Sequence, residues 1–292
     1  MRSSALLFAV AATFTSAGLA AGQSIYGITR DNRLVSFNAA APGTLISDNA
    51  ISGLASGETV LSIDVRPLTG EIFVIGSSNR MYSVTPAGAA TGIGAGFSAL
   101  ANSQVSFDFN PTVDRMRVVD STGLNRRLNP TNGLDIAPVN DTPLTYAAGG
   151  TPRAAGVAYT NAQFGANVPM GSIREYILDS NLNILGEVGT QAGGNASFNG
   201  GVVTPVGALG FDLGDDAGFD IFGPIGTAYI SDLTPNGPRF YTLNLNTGLA
   251  SFVGNIGDGS RLVTDISAAI PSPGTGAAAL LGLAVLARRR RA

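Results

Sequence analysis

The chain has 292 residues, 45% apolar and 13% charged, with 39 glycines and 15 prolines; that is too apolar for a disordered chain and rich in turn formers. It has no Cys, His or Trp, and all 17 basic residues are Arg, which excludes disulfides, thiolate nucleophiles, imidazole metal sites, Ser-His-Asp triads, phosphate-loop lysines and Schiff bases. The formal charge of −3 hides an acidic body: without Arg2, Arg288, Arg289, Arg290 and Arg291, which sit in the end segments, it is about −8, and such a body repels nucleic acid and anionic lipid.

Met1-Arg2-Ser3-Ser4 precedes an apolar run from Ala5 to Phe14 and small residues from Ser16 to Gly22. This is the charged start, short apolar helix and small-residue exit of an export signal. Residues 1–22 are therefore predicted to be removed by signal peptidase, with the cut between Ala20 and Gln23.

From residue 23 to 269 the pattern is β. Short alternations of apolar and polar residues are separated by turns rich in Gly, Pro, Asn and Asp. Leu61 to Ile75 aligns with Val105 to Val119: each gives a strand centred on Asp, a Pro-led turn and a second strand. Third and fourth strands follow each copy. Asp64 and Asp108 are about 44 residues apart, the length of a four-stranded propeller blade. Weaker units run from Ala155 to Gly189 and from Leu209 to Ile256. The partial pieces Ser24 to Ser47 and Leu262 to Ala268 complete one another as a blade shared between the two ends, which removes open edges. The prediction is an all-β propeller of about five four-stranded blades, ring-closed by N- and C-terminal strands, with short hydrophobic helices outside the domain at both ends. A sixth blade requires strands from Gly193 to Gly207, and a β-sandwich is the structural rival.

At the end, Ile270-Pro271-Ser272-Pro273-Gly274-Thr275 leads into an apolar run to Ala287 and then Arg288-Arg289-Arg290-Arg291. A helix from Gly274 to Ala287 would rise about 21 Å, short of a hydrocarbon core about 30 Å thick. The four arginines after it would stay cytoplasmic. Residues 270–292 resemble the PEP-CTERM sorting signal of bacterial exported proteins, with Ser272 where that motif has Glu. The resemblance implies export, membrane retention and cleavage near Pro271 to Thr275 by an exosortase-type enzyme. Separately, Phe107 to Val119, with Arg127-Leu128-Asn129-Pro130 and the opening Ile25 to Thr29, is similar to bacterial domain of unknown function 4394. That resemblance implies a β-propeller-like fold and no assigned chemistry.

Catalysis is left to Asp, Glu, Tyr, Ser and Arg. The strongest enzyme reading is glycoside hydrolysis in a propeller channel by two carboxylates. The candidates are Asp64, Asp108, Asp212 or Asp220, and Asp265, with Glu58, Glu71, Glu175 and Glu187. Recurrence itself argues for architecture, because catalysis breaks symmetry and a repeated Asp ties loops through backbone hydrogen bonds. Asp212, Asp215, Asp216 and Asp220 form the most acidic loop, with hard oxygens suited to Ca²⁺; a solvated turn is the plainer alternative. Arg115, Arg117, Arg126 and Arg127 form a basic cluster able to grip a sugar acid or phosphate, or to pair with Asp114 and Asp120. Tyr26, Tyr82, Tyr176 and Tyr241 fall at similar places in their units and read as packing residues. The expected function is a non-catalytic module of the cell envelope or extracellular surface, binding glycan, matrix or protein, with membrane contact only through the tail. No nucleic-acid partner and no cofactor beyond Ca²⁺ are expected; the alternative is the channel glycosidase.

Overall fold

The computed structural model describes residues 22–102, 104–165, 168–169, 171–223 and 226–270. The predicted end helices lie outside the described residues, as does the predicted leader apart from Gly22. So do the sorting residues Pro271, Ser272, Pro273, Gly274 and Thr275 and the terminal arginines Arg288, Arg289, Arg290 and Arg291.

Five sheets, antiparallel apart from one short parallel pairing at a rim, stand around an axis. Blade one holds β1 (Ser24–Thr29), β2 (Arg33–Asn38) and β3 (Ala41–Ala50). Blade two is β4 (Val60–Val65), β5 (Ile72–Gly76), β6 (Arg80–Val84) and β7 (Ala90–Ile93). Blade three is β8 (Val105–Asn110), β9 (Arg115–Asp120), β10 (Asn125–Asn129) and β11 (Leu134–Asp135). Blade four takes β12 (Thr145–Tyr146) on its rim, then β13 (Ala154–Tyr159), β14 (Glu175–Asp179), β15 (Ile184–Val188) and β16 (Val202–Ala208). Blade five is β17 (Ala217–Phe222), β18 (Thr227–Thr234), β19 (Gly237–Leu243) and β20 (Ala250–Asn255). The last strand, β21 (Val263–Ala268), returns to blade one as its innermost member.

The expected closure is observed. β21 pairs with β1 so that Ile25 faces Ala268 and Gly27 faces Ile266. Ala269 N donates to Ser24 O at 2.8 Å, fastening the two ends side by side. The stretch 193–207 supplies the fourth strand of blade four and no further blade, so the ring has five. It also holds a short helix, α1 (Gly194–Asn199), which the sequence did not announce. Six residues are too few to display a helical period. Among the described residues, no helix is long and apolar enough to cross a membrane.

The Pro-led turns confirm the repeat at backbone level. Gly70 N bonds Arg66 O at 2.8 Å, and Asp114 N bonds Asn110 O at 3.0 Å, in the equivalent turn. Both turn residues have positive φ, +73° at Gly70 and +52° at Asp114. That region costs least for Gly and is tolerated by Asp.

Inner strands are buried on both faces because a blade packs against each of its neighbours. β8 and β13 have no residue open to solvent, whereas the outer β3 and β20 are mostly exposed. The core is accordingly five interblade wedges, with a smaller cluster of Tyr159, Val168, Ile173 and Phe198, rather than one centre. Phe73, Ile75 and Met81 of blade two, for example, meet Phe107, Phe109 and Leu128 of blade three.

Side chains stitch the inner strands around the axis. Ser62 Oγ accepts from Phe107 N at 3.1 Å and Asp64 Oδ2 from Phe109 N at 2.8 Å. Ser106 Oγ accepts from Val157 N at 3.1 Å. Asp220 Oδ2 accepts from Ala268 N at 2.5 Å. β21 carries the pair in reverse order: Asp265 Oδ2 accepts from Ile63 N and Ser267 Oγ from Val65 N, each at 3.0 Å. Where glycine replaces the serine, strands pack too closely for a side chain. A Cβ at Gly156 would lie 2.6 Å from Phe219 Cβ, and one at Gly218 would lie 2.4 Å from Ile266 N. Gly218→Ala should therefore cost about 2 kcal/mol by forcing β17 from β21. Urea unfolding of the purified chain measures it, and a cost within about 0.5 kcal/mol would show that the ring yields freely.

Candidate functional site

Two polar places stand out, one on the axis and one at the boundary of blades three and four. On the axis, β4, β8 and β17 present Asp64, Asp108 and Asp220, whose nearest oxygens all lie within 4.8 Å of one another. Each residue is at most 5% exposed. Burial pushes the Asp64 and Asp108 carboxyls well above the ordinary range, and the neighbouring acids push further. Burial also raises Asp220 to about 6 and Asp265 to about 7, against the hydrogen bonds each accepts. Asp64, Asp220 and Asp265 therefore do tie backbone, as expected, but they tie inner strands to one another rather than loops. Asp265 is displaced from the trio because it occupies the serine place in its strand.

The second place is a recess of about 170 Å³, partly open to solvent and lined by Asn110, Val113, Arg115, Arg117, Arg127, Tyr159, Asn195 and Asn199. Asn110 and Tyr159 end the inner strands β8 and β13. Arg115 and Arg117 share one face of β9, two residues apart, and Arg127 sits opposite Arg117 on β10. This cross-strand register is what gathers the guanidinium groups. Phe198 anchors α1 by packing edge-on to Tyr159, ring centres 5.7 Å apart, which brings Asn195 and Asn199 over the recess.

Asp141 organises the arginines. It accepts from Arg117 Nη1 at 2.7 Å and from Arg127 Nε and Nη2 at 2.7 Å each. Arg117 is 2% exposed and also donates to Asn125 Oδ1, Asn199 Oδ1 and Tyr159 Oη. Tyr159 Oη in turn donates to Glu175 Oε2 at 2.6 Å, and that oxygen lies 3.5 Å from Arg117 Nε. Burial raises the Glu175 carboxyl, while Arg117 opposes the shift. Arg115 differs: its Nη1 donates to the carbonyls of Asp114 and Val113. Among the described residues no carboxylate pairs with it, so the recess carries a surplus of positive charge at its mouth.

Three of the four sequence-predicted arginines thus converge. Arg126 points to the other face of its strand, where it donates to Ser98 O and Asn140 Oδ1. The expected pairings with Asp114 and Asp120 do not form. Asp114 takes Arg66 of the neighbouring blade, and Asp120 accepts the Thr122 and Leu124 amides. The predicted acidic group is also dispersed. Asp215 pairs with Arg153, which holds its carboxyl down at about 2. Asp216 pairs with Arg30, Asp212 accepts from Asn183, and only Asp220 reaches the axis. Tyr82, Tyr176 and Tyr241 are buried as packing residues. The four tyrosines are not equivalent in register: Tyr26 and Tyr176 lie on second strands, Tyr82 and Tyr241 on third strands. Asn110, Asp141, Tyr159, Asn195 and Asn199 went unread, since a neutral amide, a lone acid or a lone tyrosine has no sequence signature apart from its place in space.

A family profile described as a domain of unknown function, DUF4394, matches residues 33–267. No curated protein matches the chain. Among solved structures, a Lactobacillus plantarum protein is 15% identical, covers 84% of this chain and 70% of its own, and has a TM-score of 0.41. A nidogen/laminin complex is 9% identical over 85% of this chain and 98% of that one, with a TM-score of 0.49. A structural-genomics protein of unknown function from Bacteroides thetaiotaomicron is 16% identical over 86% and 68%, with a TM-score of 0.45. At these values the structural likenesses carry no argument about function.

Two consequences can be measured. Asp141→Ala strands the buried Arg117 charge and should cost about 3 kcal/mol in urea unfolding; a loss below about 1 kcal/mol would show the network to be dispensable. The second concerns Asp265, raised from 3.8 to about 7. The folded chain keeps a proton there that the unfolded chain releases, so its contribution is full below about pH 4 and is lost as pH rises through about 7. Stability should fall between about pH 5 and pH 8, and Asp265→Asn should flatten that fall; an unchanged slope would refute the assignment.

Proposed function

This chain belongs to the DUF4394 family, and from that footing we propose that its propeller is a non-catalytic module of the cell surface that binds an acidic glycan in the recess between blades three and four. The observation that carries the reading is the unpaired Arg115 charge at the mouth of a recess otherwise lined by three asparagines, a tyrosine, a valine and two further arginines. A guanidinium receives a sugar carboxylate through paired N–H donors. Asparagine amides both donate and accept, which suits the hydroxyls of a pyranose ring. In a body with a large excess of acid, this positive recess selects an anionic sugar against the general field.

The non-catalytic part rests on what lines each place. No carboxylate lines the recess among the described residues; Asp141 and Glu175 lie behind the arginines, 9% and 0% exposed. Two-carboxylate hydrolysis needs a pair flanking the scissile bond. The axial aspartates come close together but are buried against backbone amides, which leaves a sugar no place between them. Export and residence at the envelope follow from the leader-like and sorting-like ends, with signal peptidase and an exosortase-type enzyme as the processing partners.

The test is titration calorimetry with polyuronate oligosaccharides, neutral glucan oligosaccharides and inorganic phosphate. Uronate should bind, the neutral chain should not, and Arg115→Ala should weaken uronate binding at least about tenfold while leaving stability within about 0.5 kcal/mol. Equal binding of neutral and acidic sugars, or no change in the variant, would overturn the site. Turnover of any of these oligosaccharides would overturn the non-catalytic reading.

A further inference from the structure

The axial aspartates have charge without counter-charge. Among the described residues, no arginine lies within ion-pair distance of Asp64, Asp108 or Asp220. Asp64 and Asp220 are steadied by backbone amides and by Ser267 Oγ, which stands 2.8 Å from Asp64 Oδ1 and 3.0 Å from Asp220 Oδ2. Asp108 is different: its Oδ1 is buried and has no hydrogen-bond partner at all. An orphaned carboxylate oxygen in a closed interior is among the costliest arrangements a fold can keep. Here it belongs to a group that already faces two other acids.

A cation resolves both problems at once. Calcium binds hard oxygens at about 2.3–2.6 Å, so ligand oxygens around one ion sit no more than about 5 Å apart. The three aspartates meet that limit, with their nearest oxygens all within 4.8 Å. They come from three different blades, and their strands are held by the same stitching bonds that close the ring. The geometry points to a divalent-cation site, of calcium type, formed by Asp64, Asp108 and Asp220 on the propeller axis. It is separate from the recess and does not depend on the glycan reading. It is also separate from the acidic loop, where Asp212, Asp215 and Asp216 are taken up by side-chain partners. The ion would join three blades by direct bonds where hydrogen bonds alone now run, and would give the fold a reason to keep an unsatisfied oxygen at its centre.

The experiment uses the purified full chain. Its metal content is measured by inorganic mass spectrometry, and its melting is followed with calcium, with magnesium and with a chelator. The expected result is about one bound metal per chain and a melting temperature raised by roughly 5–10 °C at calcium about a hundredfold above its Kd. The chelator should reverse that rise. Asp108→Asn, close to isosteric and with a neutral side chain, should abolish the calcium response, and Asp215→Asn should keep it. A metal-free chain whose melting ignores calcium, magnesium and chelator overturns the site and leaves protons to balance the trio. So does a calcium response that survives Asp108→Asn or vanishes with Asp215→Asn. If Asp108→Asn does not fold, the metal content and calcium response of the unaltered chain still decide between the two outcomes.

Discussion

Among the described residues, neighbouring blades share isolated bridges but no ladder of backbone hydrogen bonds, so the inner-strand amides that face a blade boundary must be answered by side chains. That requirement governs the centre of this molecule. A buried amide left unanswered costs about 1–3 kcal/mol, and the strands lie too close for long side chains to serve. Serine and aspartate, two residues apart on one face of β4, β8 and β21, are short enough and accept well. Ser62 with Asp64 and Ser106 with Asp108 repeat the arrangement; Asp265 with Ser267 inverts it. A neutral acceptor would answer an amide without accumulating charge, so the clustering of three acids at one level is more than the stitching alone demands.

The recess arises at a boundary that keeps the repeat's stitch and adds a polar network to it. Blade four brings Gly156 and Ala158 to the positions that hold serine and aspartate in β4 and β8, a lapse that falls at its boundary with blade five. Its contact with blade three keeps the Ser106 stitch to Val157 and an apolar wedge, and adds a polar network spanning Arg117, Tyr159, Glu175 and Asp141. The same blade carries the insertion that forms α1, and Phe198 presses that insertion against Tyr159. The insertion and the polar network thus make the concave surface, on a frame that the propeller keeps rigid.

How much of this could be read in the residues alone follows from the geometry of strands. Repetition is a one-dimensional signal, and it carried the blades, the shared closing blade and the Asp-centred units. Proximity in space is not a one-dimensional signal. Asp216 and Asp220 are near neighbours in sequence, but β17 starts between them and rises about 3.3 Å per residue, which sets them about 13 Å apart and at different ends of the blade. Arg117 and Arg127 gathered as expected because a hairpin register places them opposite each other. Their acid, Asp141, lies on a later connection that no pairing rule identifies. The helix at Asn195 and Asn199 was hidden by its brevity.

The fastening of β1 to β21 has a mechanical side. Ser24 and Ala269 meet at the same end of an antiparallel pair, so both chain ends leave the ring at a single point. Tension drawn between those ends would peel the pair apart one bond after another, the weakest way to load a ladder. A pull between the tail and a ligand held at blade three is different: it enters at the innermost strand and spreads through several stitched boundaries together. A domain tethered through residue 270 would therefore resist shear on its cargo far better than it resists traction on its own two ends.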